Sequence, residues 1–221
     1  MAAHMYSHGV SYFSVPKCAC TSLKMMFFEL ENGFAFREFS INGNWLHIHK
    51  FYISKQFEES RKVTRGNTFK FTVIRSPQAR ILSCFQHWVA SENGRKSFLH
   101  IGDKIKARNA PVTPNWEEFV DHLETYRGLL PGIEHHSQPL SYFLGTDPDY
   151  FTKIYNLKQL PDMVQDLDKI SGKKVNLQHY NVSEAPIEIP VTSEETKKKI
   201  KALSKVAIIF GFVPILFSDD A

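Results

Sequence analysis

Two apolar runs, each followed by a turn and an amphipathic stretch, constrain the fold of this chain most strongly. Residues 10–15 read VSYFSV and residues 69–75 read FKFTVIR, and both are typical of buried strands. Apolar side chains recur at helical spacing after the first run until Gly33, and Ser76 with Pro77 begins a second helical pattern. Alternating strands and helices predict an α/β fold in which helices flank a central parallel β-sheet.

Weaker periodic segments extend this pattern along the 221-residue chain. A short second strand is predicted over 45–52, WLHIHKFY. Further helices are predicted over 116–126, 159–171 and 192–210. The basic stretch 94–114 has weak periodicity and is predicted to be an irregular loop, either a mobile surface segment or a cover for a ligand.

The composition is that of an ordinary globular protein with a small positive excess. Lys and Arg exceed Asp and Glu by 27 − 23 = 4, which suits an anionic ligand without indicating nucleic acid. Three cysteines make no disulfide framework, and the longest apolar run has 12 residues where a membrane span needs roughly 20. We therefore expect one cytoplasmic domain over 5–221, without a membrane or nucleic-acid partner, and residues 1–4 preceding a natural start at Met5.

The turn after the first strand has the residues that best suit an anion. A strand-to-helix turn presents backbone N–H groups, small side chains let a ligand approach them, and hydroxyls add donors and a helix cap. These residues are Lys17, Cys18, Ala19, Cys20, Thr21 and Ser22. An ordinary connection with an exposed lysine is the alternative that the turn alone leaves open.

Comparison with the nucleotide P-loop, GxxxxGK[ST], separates this turn from metal-dependent phosphoryl transfer. Both glycines are missing, and Lys17 precedes the turn instead of following it. A P-loop enzyme also needs a carboxylate near the end of a neighbouring strand to hold magnesium. Here that strand ends in Arg75. A P-loop-like nucleotide kinase is therefore kept only as an alternative.

A second group of polar residues follows the strand 69–75. Arg75 lies at its carboxyl end, and Arg80, Ser83 and His87 are predicted to share one helical face opposite the apolar stripe. Ligands of open parallel sheets bind outside the carboxyl ends of the strands, so Lys17 and Arg75 should emerge at one edge. Two such sites side by side imply a single ligand with two separated anionic groups.

These two segments resemble the donor-binding motifs of the sulfotransferases. VPKCACTSLK resembles their 5′-phosphosulfate loop, PKxGxTxL, or PKxACTxxK in the carbohydrate branch, and VIRSPQARILSCF resembles their 3′-phosphate segment, RxPxxRxxSxY. Ala19 replaces a glycine, Ser76 stands where an acid is common, and Phe85 replaces a tyrosine. The resemblance is closest to the carbohydrate family 2 and uronyl 2-O types, covers residues 10–90 well, and implies a P-loop-like sulfotransferase fold.

The resemblance implies a donor and its binding residues. The donor would be 3′-phosphoadenosine 5′-phosphosulfate (PAPS), the product 3′-phosphoadenosine 5′-phosphate (PAP), and no metal would be needed. The 5′-phosphosulfate would lie on residues 17–22 and the 3′-phosphate on Arg75 and Ser83. Lys17 would neutralise the charge that develops on the bridging oxygen as its bond to sulfur breaks.

A histidine is expected to take the proton of the acceptor, because imidazole titrates near neutral pH. On the predicted strand LHIHK, alternation would place His47 and His49 on the same side. The resemblance implies His49 as the base and His47 as its substitute or partner; a hydrogen-bonded core histidine is the alternative. EHHSQPLSYF is loosely similar to the HxxPQ segment of the family, which implies acceptor contacts for His135 and Gln138, and residues 179–183 resemble an HxNxS segment.

The sequence thus predicts a PAPS-dependent sulfotransferase that acts on a hydroxyl, or as a second choice an amine, of a carbohydrate or small polar acceptor. Besides the nucleotide kinase, a protein that binds nucleotides or sulfated polyanions through the basic stretch 94–114 without catalysis is the remaining alternative.

Overall fold

The computed structural model describes four stretches of the chain, residues 3–64, 66, 69–178 and 190–203. The chain forms two compact units, which are described separately. The first consists of Met1–Arg75 and Leu140–Glu184, and the second of Ser76–Pro139 and Ala185–Ala221. None of the helices in these four stretches has both the length and the apolar character that a membrane crossing requires.

The first unit contains a mixed central β-sheet and a small separate hairpin. The strands are β1 Ala3–Met5, β2 Val10–Phe13, β3 Phe39–Ile41, β4 Asn44–Leu46, β5 Phe69–Ile74 and β6 Lys153–Asn156. The central sheet has the order β1-β2-β5-β6, in which β1 is antiparallel to β2 while β2, β5 and β6 are parallel. The strands β3 and β4 pair antiparallel. The parallel strands confirm the predicted α/β class.

Helices make up most of the remaining described chain. They are α1 Cys20–Asn32, α2 Ile48–Phe51, α3 Phe57–Lys62, α4 Pro77–Phe85, α5 Glu92–His100, α6 Gly102–Lys106, α7 Trp116–Asp121, α8 Leu123–Leu129, α9 Pro131–Ser137, α10 Leu140–Leu144, α11 Leu160–Ser171 and α12 Glu194–Leu203. A π-helical turn, Gln86–Ala90, directly follows α4. Short 3₁₀ turns occupy Tyr6–His8, Pro148–Tyr150 and Leu157–Gln159.

Alternation along β2 places aromatic side chains on both faces of the sheet. Tyr12 packs on Phe27 of α1 and on Phe71 of β5, with ring centroids 5.7 and 5.3 Å apart. The next residue, Phe13, faces the other way and contacts Phe57 of α3 and Phe151. Because successive strand residues point to opposite faces, helices can pack on both sides of this sheet.

The second unit has its own apolar core, built from helices alone in the described residues. Phe119 of α7 stacks on Tyr126 of α8 with centroids 5.7 Å apart, and Phe98 of α5 lies 5.1 Å from the same ring. Trp116 donates from Nε1 to Thr192 Oγ1, which ties the segment before α12 to α7. This core fixes the positions of α4 and α9, which carry several of the predicted ligand residues.

Several predicted boundaries are confirmed. Strands β2 and β5 lie where the apolar runs predicted them. Helix α1 ends at Gly33, whose positive φ of 79° closes the helix. Ser76 caps α4, its Oγ accepting the Ala79 N–H, and Gly172 ends α11.

Three predicted elements are wrong. The strand predicted over 45–52 ends with β4 at Leu46, and α2 begins at Ile48 because the side chain of His47 caps it. The irregular loop predicted over 94–114 is largely α5 and α6; the Oγ of Ser91 accepts the Gly94 N–H and starts α5. The single helix predicted over 116–126 divides at His122 into α7 and α8.

Other predictions fall partly on residues that are not described. The family-like segment 179–183 and the end of the helix predicted to reach residue 210 lie outside the described residues. Of residues 1–4, Ala3 and His4 belong to β1, where they pair with Tyr12 and Ser11. The single domain over 5–221 stays a prediction.

Candidate active site

The turn between β2 and α1 holds two non-glycine residues in the left-handed backbone conformation. Lys17 has a φ of 67° and Ala19 a φ of 54°. Between them, the Cys18 N–H donates to the Val15 carbonyl over 3.4 Å. Such conformations are uncommon for residues with a Cβ and cluster at ligand-binding and catalytic turns. The backbone is therefore strained in the turn that the sequence assigns to an anion.

Helix α1 begins within this turn, earlier than predicted. Its N-cap is Ala19, which makes no side-chain cap, so the cap predicted for Thr21 or Ser22 is wrong; both lie inside the first helical turn. The first N–H groups of a helix lack intrahelical partners, and the helix dipole adds positive potential there. Cys18 is fully buried, and its N–H is bonded within the turn to the Val15 carbonyl.

A chain of hydrogen bonds joins this helix to His49. The Nε2 of His49 lies 2.9 Å from Thr21 Oγ1, and its Nδ1 lies 3.2 Å from Lys24 Nζ. Lys24 also donates to Ser54 Oγ at 2.9 Å, and Ser54 lies 2.7 Å from Ser14 Oγ. His49 is thus held at both ring nitrogens by residues of α1, one helical turn apart.

His47 has a different role in the structure. Its Nδ1 accepts the backbone N–H of His49 over 3.2 Å and so caps α2. A neutral ring whose Nδ1 accepts a hydrogen bond carries its proton on Nε2 and has no lone pair left for a base. His49 as the base stays a prediction, supported by its contact with Thr21 near the start of α1. The two rings are neighbours, with centroids 5.7 Å apart.

Lys24 is the site residue that sequence reasoning missed. Its side chain is 1% exposed. Burial lowers its pKa from the usual 10.5 to about 8, while the nearby Cys20 opposes the change. A signal was present in the sequence: Lys24 interrupts the apolar stripe of α1 next to Leu23 and lies three residues after Thr21, on the same helical face.

The buried lysine makes stability depend on pH. Between pH 8 and 10.5 the unfolded chain holds a proton on Lys24 that the folded chain has released, so the free energy of unfolding rises with pH. At about 1.4 kcal/mol per pH unit, the rise due to Lys24 is about 3 kcal/mol. We expect urea unfolding to show a rise in the free energy of unfolding across this range that is about 3 kcal/mol larger in the wild type than in Lys24→Met. The exposed-site variant Lys62→Met should show the same rise as the wild type. Equal slopes for the wild type and Lys24→Met would contradict the burial of a titrating amine.

Arg75 emerges at the same edge of the sheet as the Lys17 turn. Strands β2 and β5 are parallel neighbours, with Phe13 opposite Thr72. The chain leaves β2 after Phe13 and leaves β5 after Ile74, so both connections begin at the carboxyl edge. The two connections therefore begin at one edge, as predicted, and the binding of one anionic ligand by Lys17 and Arg75 stays a prediction.

The other predicted ligand residues belong to the second unit. Ser83 is half-buried on α4, and His135 lies on α9. The side chain of Gln138 accepts from Arg127 and donates to Glu134. These arrangements do not test the predicted roles. The phosphate contact of Ser83 and the acceptor contacts of His135 and Gln138 therefore stay predictions.

Arg80 was predicted to lie with Ser83 and His87 on the helical face opposite the apolar stripe, but its side chain is buried. It is 4% exposed, and its guanidinium donates to the backbone carbonyls of His136 and Gln138. A buried guanidinium needs such acceptors because its five N–H groups lose water on folding. Arg80 therefore fixes the end of α9 to α4.

The arrangement in the first unit suits the binding of an anion and the transfer of a proton. The strained turn and the start of α1 suit a phosphate or sulfonate, and Lys17 adds a full charge. His49 reaches the same helix through Thr21. In the described part of the chain, no cluster of three or more His, Cys, Asp or Glu side chains could hold a metal ion.

Comparison with known proteins gives one match. A family model described as "Sulfotransferase family" matches residues 5–207. No curated protein and no solved structure matches the chain. The family match extends well beyond residues 10–90, where the two motifs lie.

Proposed function

The chain belongs to the sulfotransferase family, and on that premise we propose that it transfers sulfonate from PAPS to a hydroxyl group of a carbohydrate or small polar acceptor. One observation carries the proposal: the strained turn that begins α1 and the side chain of His49 are joined through Thr21 at 2.9 Å. The proposed anion site and the proposed base would thus lie at the same end of α1.

The donor would be held at both of its anionic ends. The turn 17–22 would bind the 5′-phosphosulfate through backbone N–H groups and Lys17. Arg75, which leaves the sheet at the same edge, would bind the 3′-phosphate, because guanidinium groups match phosphate geometry. Ser83 is proposed as a 3′-phosphate ligand by resemblance to the family pattern alone.

Lys17 and His49 would share the work of transfer. The acceptor oxygen forms a bond to sulfur while the bond from sulfur to the bridging oxygen breaks, and the electron pair stays with PAP. Lys17 stabilises the charge that develops on that bridging oxygen. His49 takes the proton that the acceptor hydroxyl loses. An amine acceptor is the second choice, and His135 and Gln138 are proposed to contact the acceptor.

The two rival functions differ from the proposed one in the residues that they need and in whether an acceptor is converted. A nucleotide kinase would need a carboxylate near the end of β5, where this chain has Arg75. A binder without catalysis would retain PAP and turn over no acceptor. Product formation from PAPS, measured with a panel of carbohydrate and small hydroxyl acceptors, separates this binder from the proposed enzyme.

PAP should stabilise the protein far more than ADP, which lacks the 3′-phosphate. At 100 times its Kd a ligand adds about 2.7 kcal/mol, which for a protein of this size is roughly 5–10 °C in Tm. Thermal shift measured with both nucleotides tests this. Arg75→Met should bring the PAP shift down to that of ADP, whereas the exposed-site control Arg61→Met should not. Equal PAP and ADP shifts in the wild type would remove Arg75 from the donor site.

A further inference from the structure

We propose that Lys24 is the positioning residue of His49: its amino group determines which ring nitrogen carries the proton, and it receives the proton that the acceptor releases. This inference rests on the proposed function, with His49 as base. Lys24 contacts His49 at Nδ1, on the side of the ring opposite to Thr21. Among the described residues, no carboxylate forms an ion pair with Lys24 to hold it permanently charged.

The charged form of Lys24 holds His49 in an inactive tautomer. An ammonium group only donates hydrogen bonds, so Nδ1 must accept from it over 3.2 Å. The neutral ring then carries its proton on Nε2 and donates it to Thr21 Oγ1. In this form the nitrogen that faces the start of α1 is already protonated and cannot serve as a base.

The uncharged form of Lys24 reverses this arrangement. A neutral amine has a lone pair, so it can accept the proton of Nδ1–H, which leaves Nε2 with a lone pair on the side of Thr21. Loss of one proton from the pair therefore converts His49 into a base. The hydroxyls of Ser54 and Ser14 behind Lys24 adapt to either form, because each can donate or accept.

The same contacts give the proton a place to go during transfer. Nε2 takes the acceptor proton while the acceptor oxygen bonds to sulfur and the bridging oxygen leaves with its electron pair. The proton on Nδ1 then passes to Lys24 Nζ. The ring ends neutral with its proton on Nε2, Lys24 ends as an ammonium, and one proton has moved from the acceptor to the lysine.

Burial makes both forms of Lys24 accessible near neutral pH. It lowers the pKa of the amine to about 8. Among the described residues, the titratable groups that face this amine are His49 from α2 and Cys20 from α1, and the nearby Cys20 opposes the lowering. Ser54, from the segment after α2, is a neutral hydroxyl. The base-competent form should thus increase as the pH rises through about 8.

The first test reads the tautomer directly in the protein without nucleotide. In ¹⁵N-histidine-labelled protein, the His49 signals among ten histidines are assigned by comparison with His49→Gln. From about pH 6 to about pH 10, the wild type should change from the Nε2–H to the Nδ1–H tautomer, with a midpoint near 8. In Lys24→Met this crossover should be absent.

Two variants that keep the lysine act as matched controls. Ser54→Ala removes an acceptor of the ammonium, which disfavours the charged form, so the crossover should move to lower pH. Cys20→Ala should retain the crossover, which distinguishes titration of Lys24 from that of the thiol. If Lys24→Met does not fold, the direction in which Ser54→Ala moves the crossover pH still tests whether Lys24 determines the tautomer of His49.

The second test is the pH profile of kcat with PAPS. The wild type should show a rising limb near pH 8, and Lys24→Met should lose this limb with a kcat lower by about 10²-fold, at the low end of what a general base contributes. The PAP-induced rise in Tm should be unchanged. A crossover that persists in Lys24→Met, or a wild type with one tautomer throughout, overturns the role of Lys24. Failure of PAP to raise Tm overturns the proposed donor instead, without touching the tautomer result.

Discussion

Lys17→Ala is expected to lower kcat for sulfonate transfer from PAPS by about 10²–10³-fold, the usual loss when one charge-stabilising donor is removed. The alanine should fit the turn, because Ala19 already adopts a φ of 54° two residues away from Lys17, whose φ is 67°. Lysine and alanine both carry a Cβ, so the backbone strain stays nearly the same. Steady-state kinetics of the purified variant measure the loss.

Controls separate the charge of Lys17 from the fold of the turn. Lys62→Ala removes an exposed lysine on α3 and should leave kcat unchanged. Lys17→Ala should also weaken PAP binding, since the same ammonium faces the 5′ end of the donor in the proposed complex. Retention of full kcat in a Lys17→Ala variant with wild-type Tm would exclude Lys17 from the transfer step.

The secondary structure was predicted correctly from the sequence where local capping signals agreed with the pattern of buried residues. β2 and β5 are buried apolar runs, Ser76 caps the start of α4, and Gly33 ends α1. Such signals do not depend on distant residues. The start of the Lys17 turn and Arg75 at one edge of the sheet was predicted in the same way, because parallel neighbouring strands end at one edge.

Sequence reasoning failed where tertiary contacts or side-chain caps decide the structure. The alternation in WLHIHKFY is typical of a strand, but the His47 side chain caps the backbone of His49 and starts a helix. The polar helices α5 and α6 bury only single apolar residues, such as Phe98 and Ile105, in the core of the second unit. The hydrophobic periodicity of these helices is therefore weak, and for this reason the segment was predicted to be a loop.

The candidate base was predicted, but its surroundings were not. His49 was chosen by resemblance, whereas its contacts with Thr21 and Lys24 join residues 28 and 25 positions apart. No local pattern encodes such a pairing. The sequence shows only that a lysine lies within an apolar helical stripe. The contact between its amino group and the imidazole of His49 is seen in the fold.

His49→Gln is expected to lower kcat by about 10²–10⁴-fold, the range that a general base contributes. Glutamine can still hydrogen-bond to Thr21 and Lys24 but does not take up a proton near neutral pH. PAP binding, measured by thermal shift, should therefore remain close to that of the wild type while kcat falls. A loss in PAP binding as large as the loss in kcat would indicate that His49 serves the donor and not the acceptor.

His47→Asn decides between the two candidate bases. Asparagine is a good N-cap residue, so this variant should keep α2 and the position of His49, and kcat should fall only slightly. His100→Gln, at the exposed end of α5, should leave kcat unchanged. If His47→Asn lost more activity than His49→Gln, His47 would be the base, and Lys24 would have no part in the proton transfer, because its contact is with His49.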